Sequence, residues 1–157
     1  MMNVKKAIIT DIEYLNAIYN DAFESNPCPD NLIEDDDDEP DLTPKIAMNN
    51  PDKIVLSFFE DENLIGGAII DNHRSDINIL DRLFISPCFQ RKGYGYQAWQ
   101  EIEKNFSTGL CWKLRTPTYL INNACFYINK CGFSITEVED IGEDGIGMFV
   151  FTKHIKI

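Results

Sequence analysis

Between Gln90 and Tyr96 the chain reads Gln-Arg-Lys-Gly-Tyr-Gly-Tyr, two basic side chains directly ahead of two closely spaced glycines. An apolar run, Ile79-Leu-Asp-Arg-Leu-Phe-Ile85, comes before it and is closed by Ser86-Pro87. After it, Gly95, Ala98, Trp99, Ile102 and Phe106 recur at the spacing of one helix face. Strand, basic glycine turn and helix in that order suit the binding of phosphate. The first N–H groups of a helix lack partners within it and carry partial positive charge. Glycine admits a ligand close to the backbone, and Arg91 and Lys92 add formal charge in an otherwise acidic chain.

Phosphate-binding turns differ in form, and the form here is informative. A Walker loop would end in Gly-Lys-Ser/Thr after four intervening residues, and no such run exists. Gly93-Tyr-Gly-Tyr-Gln-Ala98 matches the loose dinucleotide pattern G-x-G-x-x-A. That fingerprint follows a strand directly and has an acid about 20 residues later. Here Pro87 to Lys92 intervene, and the region of Leu114 and Arg115 holds no acid. Gln90-Arg-Lys-Gly93-Tyr-Gly95 instead resembles the Q/R-x-x-G-x-G/A motif of the GNAT superfamily of acyl-CoA N-acyltransferases.

A second segment carries the same resemblance. Trp112 to Arg115 reads as a strand, Pro117 as a turn, and the following residues as a helix stopped by Gly132. Phe126-Tyr127-Ile-Asn-Lys-Cys-Gly132-Phe133 is similar to the Phe-Tyr-x-x-x-Gly-Phe ending of the family helix after its fifth strand, with four residues in place of three between Tyr127 and Gly132. Many relatives have Asn seven residues before the Tyr and Ala four before, where this chain has Leu120 and Asn123.

The resemblance implies acetyl-CoA as cosubstrate. Backbone groups of Leu83, Phe84 and Ile85 would pair with the pantetheine arm. The motif glutamine Gln90 leads into Arg91, Lys92, Gly93, Tyr94, Gly95 and Tyr96, whose N–H groups would hold the pyrophosphate. Asn123 stands one helical turn before Tyr127 on the same face, a candidate to join them. The resemblance makes Tyr127 the acid that protonates the departing thiolate, a light task because a thiol has a pKa near ~8.5. The acceptor ammonium must also lose a proton. Asp81, a charge inside an otherwise apolar strand, is the candidate base, ahead of Glu60 and Asp71 near strand ends.

Composition bounds the remaining choices. A chain of 157 residues with 44% apolar content suits one domain with a sizeable core, here taken as 1–157. No apolar run approaches the ~20 residues that span a bilayer, and the N-terminus lacks a signal-peptide core. Five cysteines without a C-x-x-C pair indicate neither a disulfide framework nor zinc, and His73 and His154 lie far apart. The expectation is a cytoplasmic protein without metal. A net charge of −12 disfavours nucleic acid and favours a cationic small-molecule or peptide amine. A homodimer is compatible with all of this.

The remaining elements can be placed around these motifs. A strand is expected over Val4 to Ile9, then a helix capped by Thr10 and Glu13 that buries Ile12, Leu15, Tyr19, Ala22 and Phe23. Ser25 to Pro44 contains the run Glu34-Asp-Asp-Asp-Asp-Glu39 and reads as a self-repelling surface loop, or as part of an acceptor entrance. Strands follow at 54–60, 64–71 and 77–86, then 110–115, 134–138 and 147–153 around the two motif helices. The pattern is α/β with a GNAT-like mixed, mostly antiparallel central sheet flanked by helices. The functional expectation is an acetyl-CoA-dependent N-acetyltransferase acting on an amine by direct transfer. The alternative is a non-catalytic acyl-CoA-binding module of the same fold.

Overall fold

The computed structural model describes residues 2–24, 42–139 and 146–155; the acidic run 34–39 lies outside the described residues. Alternation of side chains builds the central sheet. In β2 (Lys53–Glu60), Leu56 and Phe58 face one core while Val55 faces another. In β3 (Asn63–Asp71), Ala68 and Ile70 divide from Ile69 in the same way. Both strands are apolar on both faces because helices cover both.

One face is covered by α1 (Ile12–Glu24) and the short α2 (Pro44–Met48). The other carries α3 (Tyr94–Phe106) and α4 (Ile121–Asn129), whose Ala98, Trp99, Ile102, Ala124 and Tyr127 enter the larger core. With β1 (Met2–Lys6), β4 (Ile77–Ile85), β5 (Cys111–Pro117), β6 (Ser134–Glu139) and β7 (Met148–His154), the sheet has seven strands in the order β1-β2-β3-β4-β5-β7-β6. Every neighbouring pair is antiparallel except β4 with β5. This is the mixed, mostly antiparallel α/β sheet expected, with element bounds close to those read from the sequence.

The entry to α1 departs from expectation. Residues Ile9–Asp11 form a short 3₁₀ turn, so Thr10 does not cap the helix. Asp11 instead reaches back across the turn: its Oδ2 accepts the Ile8 N–H at 3.1 Å and the hydroxyl of fully buried Ser57 at 3.1 Å. Both donors share one carboxylate oxygen, whose charge strengthens each bond. The first strand accordingly ends at Lys6, where its register with Leu56 stops. Phe23 is not a core residue either; it is 59% exposed, and its ring only stacks beside Tyr19.

Gly67 is one of two adjacent glycines where β3 comes very close to its surroundings. A Cβ there would lie 2.6 Å from the Leu56 carbonyl oxygen and 2.9 Å from both Leu15 Cδ2 and Phe84 Cζ. Gly67→Ala is therefore expected to cost about 1–3 kcal/mol by overpacking. Urea denaturation should show a lower midpoint with an unchanged slope.

Candidate functional site

The site begins where the sheet divides. β4 pairs with β5 only through Ile77–Cys111, Asn78–Trp112 and Ile79–Lys113. Beyond Ile79, β4 stays on β3 up to Ile85, whereas β5 follows β7 up to Pro117. Each strand keeps its outer partner, so the inner edges separate and leave unpaired backbone groups facing one another. Buried Asn78 pins the closed end. Its amide donates to the carbonyls of Cys111 (3.1 Å) and Thr108 and accepts from Thr108 N (3.0 Å) and Oγ1 (2.7 Å). Sequence reading missed Asn78, although a lone Asn in an apolar strand is a usable signal.

Leu83 and Ile85 send their side chains to the α3/α4 core, and Phe84 packs against Tyr19 of α1. All three therefore have core roles as side chains, and only their backbone faces the opening. The Ile85 carbonyl is already engaged, accepting from Gln90 Nε2 at 2.9 Å. The Gln90 side chain thus ties the turn to the strand end and is not free to hold a ligand through that donor.

From Gln90 the backbone bends twice into the left-handed region, at Arg91 (φ 64°) and at Gly93 (φ 84°), the residue preceding α3. Glycine tolerates that conformation without strain and Arg91 does not. Among the described residues, the N–H groups of Arg91, Lys92, Gly93, Tyr94, Gly95 and Tyr96 make no hydrogen bond within the protein. A Cβ on Gly93 would meet nothing nearer than Gln97 Nε2 at 4.0 Å, so the space in front of it is open. Gly95 is flanked by the Phe126 ring, 3.4 Å from where its Cβ would be. Arg91 and Lys92 are exposed, with Lys92 Nζ 5.7 Å from the Phe89 ring centre. This cluster of free donors is fit to take a phosphate.

Asp81 owes its position to a β-bulge. Ile69 pairs with Arg82 and Ile70 with Leu80, leaving Asp81 as the extra residue, two beyond the last β4–β5 pair. Its Oδ2 lies 2.8 Å from Lys53 Nζ, which also reaches Asp71 Oδ2 at 3.0 Å. The other Asp71 oxygen accepts the His73 N–H at 3.2 Å and contacts His73 Nδ1. Burial draws the Lys53 pKa down, but the hydrogen bonds and charges of Asp81 and Asp71 outweigh it and hold it above the usual lysine value. Burial alone would raise Asp71, yet hydrogen bonds from His73 and Lys53 keep it below the usual carboxylate value. Asp71, considered as a weaker base candidate, is committed to these pairs.

Tyr127 sits on the opposite face, in the larger core, with its ring against Phe126, Phe133 and Phe151. It is 9% exposed, and its hydroxyl makes no hydrogen bond among the described residues. Burial, with a smaller contribution from Cys131, raises its pKa above the ordinary phenol value, so it retains its proton. Burial also pushes the Cys131 thiol up to about 12, with Lys153 opposing and Glu103 adding, which makes this cysteine an inert thiol. Asn123 is exposed in the first turn of α4. Among the described residues no group of His, Cys, Asp and Glu is placed to hold a metal ion, and no helix is long and apolar enough to cross a membrane.

Comparison with known proteins agrees with this arrangement. Residues 13–133 match the sequence model of the acetyltransferase (GNAT) family, a span that contains both motif segments. A Bacillus subtilis (strain 168) relative, the uncharacterized protein YrkN, is 33% identical over 111 residues, covering 70% of this chain and 57% of its own length. The chain thus spans little more than half of that relative. Among solved structures, the fold is similar to the ribosomal-protein-S18-alanine N-acetyltransferase of Escherichia coli, with a TM-score of 0.73 at 16% identity over 100% of this chain and 96% of that one. It is also similar to a putative streptothricin acetyltransferase of Bacillus anthracis in complex with acetyl coenzyme A, with a TM-score of 0.72 at 12% identity and 99% coverage of both chains. A matched span of that length, over the strands, turn and helices that frame the opening, is membership: the chain belongs to the GNAT family of acetyltransferases.

Proposed function

We propose that the protein is an acetyl-CoA-dependent N-acetyltransferase that moves an acetyl group directly to an amine of a small molecule or peptide. The observation that carries this reading is the opening of β4 from β5, which runs from Asp81 toward the six free N–H groups of Arg91 to Tyr96. Asp81 lies four residues before Ile85, roughly 13 Å of extended strand. A long, phosphate-ended ligand can therefore lie along the β4 edge with its anionic end at the turn. Bound acetyl-CoA would supply the acetyl group as an activated thioester.

The chain's own residues account for the remaining needs. N–H groups at the turn meet the pyrophosphate, and Arg91 and Lys92 add charge there. The β5-facing backbone groups of Leu83 to Ile85, apart from the Ile85 carbonyl that Gln90 holds, offer strand-like pairing to the amide arm. Asp81 accepts a proton from the acceptor ammonium. Tyr127, neutral and without a hydrogen-bond partner among the described residues, points its hydroxyl proton toward the sulfur. Its raised pKa makes it a reluctant acid, so its contribution is a hydrogen bond that strengthens as charge develops on sulfur. Asp81 lies beside the opening, and Tyr127 lies in the core that α3 and α4 cover. The overall acidity of the chain, −12, supports a cationic acceptor.

The test is a panel of amines with acetyl-CoA, read by release of free thiol. Amine-dependent thiol release is expected. Binding of acetyl-CoA with no release for any amine would overturn the enzyme reading in favour of a non-catalytic acyl-CoA-binding module.

A further inference from the structure

The proton transfers above use Asp81 but leave its partners without a role. Lys53 opens β2, Asp71 closes β3 directly opposite it, and Asp81 fills the bulge of β4. One ammonium spans both carboxylates, at 2.8 Å and 3.0 Å. Lys53 Nζ takes one oxygen of each acid, and His73 takes the second oxygen of Asp71. Asp81 Oδ1 accepts no hydrogen bond from any described residue. It is the one carboxylate oxygen in the array left open.

Stability is a weak reason for such an array. The Lys53 and Asp81 side chains are each only 18% exposed and Asp71 is 7% exposed. Charges taken this far out of water lose hydration that their mutual attraction barely recovers, and apolar residues of similar size commonly do as well. The position gives a better reason, since the array ends two residues past the point where β4 leaves β5.

We propose that Lys53 is a positioning residue for the acyl transfer: it fixes the Asp81 carboxylate with Oδ2 occupied and Oδ1 open to the acceptor ammonium, while Asp71, held by His73, anchors Lys53. This rests on the reading that the chain acetylates amines. In the step, the acceptor ammonium gives one proton to Asp81 Oδ1 and keeps the bonding pair as a lone pair on nitrogen. That nitrogen bonds to the acetyl carbon, the carbon–sulfur bond breaks with its electron pair going to sulfur, and the second proton shed by the nitrogen as it becomes an amide passes to the thiolate, which the Tyr127 hydroxyl hydrogen-bonds. Lys53 stays protonated throughout, so it is not itself an acceptor. Replacing it frees the Asp81 side chain to rotate, and displacement of a reacting group by about 1 Å can cost on the order of 10²-fold.

The test uses Lys53→Met, Lys53→Gln and Asp71→Asn, each alone and combined with Asp81→Asn, on an amine found by the thiol-release panel. Lys53→Met should lower kcat/KM for the amine by roughly ten- to a hundredfold, with acetyl-CoA affinity by calorimetry unchanged. Lys53→Gln keeps one donor, so it should lose less and covers the case in which the Met variant does not fold. In the Asp81→Asn background the same changes should cost less than about twofold, because Lys53 acts through Asp81. Equal losses in both backgrounds would make the array merely structural and overturn the proposal, as would full activity in a folded Lys53 variant. A wild type that acetylates no amine overturns the enzyme reading itself, and this inference with it.

Discussion

Gly93→Glu is expected to weaken acetyl-CoA binding by at least about a hundredfold, roughly 2.7 kcal/mol. Two effects add. Gly93 has φ of 84°, a conformation that costs a side-chain-bearing residue about 1–2 kcal/mol. The larger effect is electrostatic. A carboxylate about 4 Å from a phosphate charge is repelled by about 4 kcal/mol at the effective dielectric of a protein surface. The space in front of Gly93 is open, so the Glu side chain meets no protein group that would turn it away. Gly93→Ala separates the two, since it carries the backbone strain without the charge and should lose far less affinity. Calorimetry with the folded variants is the measurement. An unchanged affinity in Gly93→Glu would remove this turn from the binding site.

Tyr127→Phe should lower kcat by roughly 10²-fold while leaving acetyl-CoA affinity as it is. Loss of one hydrogen-bond donor to a developing anion costs about 10²–10³-fold, and the low end applies because a thiolate is already a fair leaving group. The ring contacts with Phe126, Phe133 and Phe151 survive the change. Thermal stability should not fall, because the lost hydroxyl makes no hydrogen bond among the described residues. That combination separates chemistry from packing. A Phe variant with wild-type kcat on a good acceptor would make Tyr127 a core aromatic and nothing more.

Much of this protein was legible before folding was considered. Side-chain alternation at 54–60 and 64–71 and the helix stripe through Ala98, Trp99 and Ile102 are local periodicities, so they located elements within a few residues. The glycine turn was legible because its function resides in a short contiguous run, from Gln90 to Gly95. Asp81 stood out because charge is rare in an apolar strand. Lys53 gave no such signal. The hairpin turn by itself, starting from the Glu60–Asn63 pair, would set Lys53 opposite Ile70. A bulge between Phe58 and Phe59 slips the register by one and brings Lys53 onto Asp71. A second irregularity, between Ile69 and Ile70, releases Asp81 to meet the same ammonium. The separation of β4 from β5 is likewise decided by which outer strand each one follows, a contest between distant segments. Sequence by itself determined the elements, the turn and the family. The tertiary structure decided which charges meet, because a one-residue register shift reassigns every cross-strand neighbour and no local pattern records it.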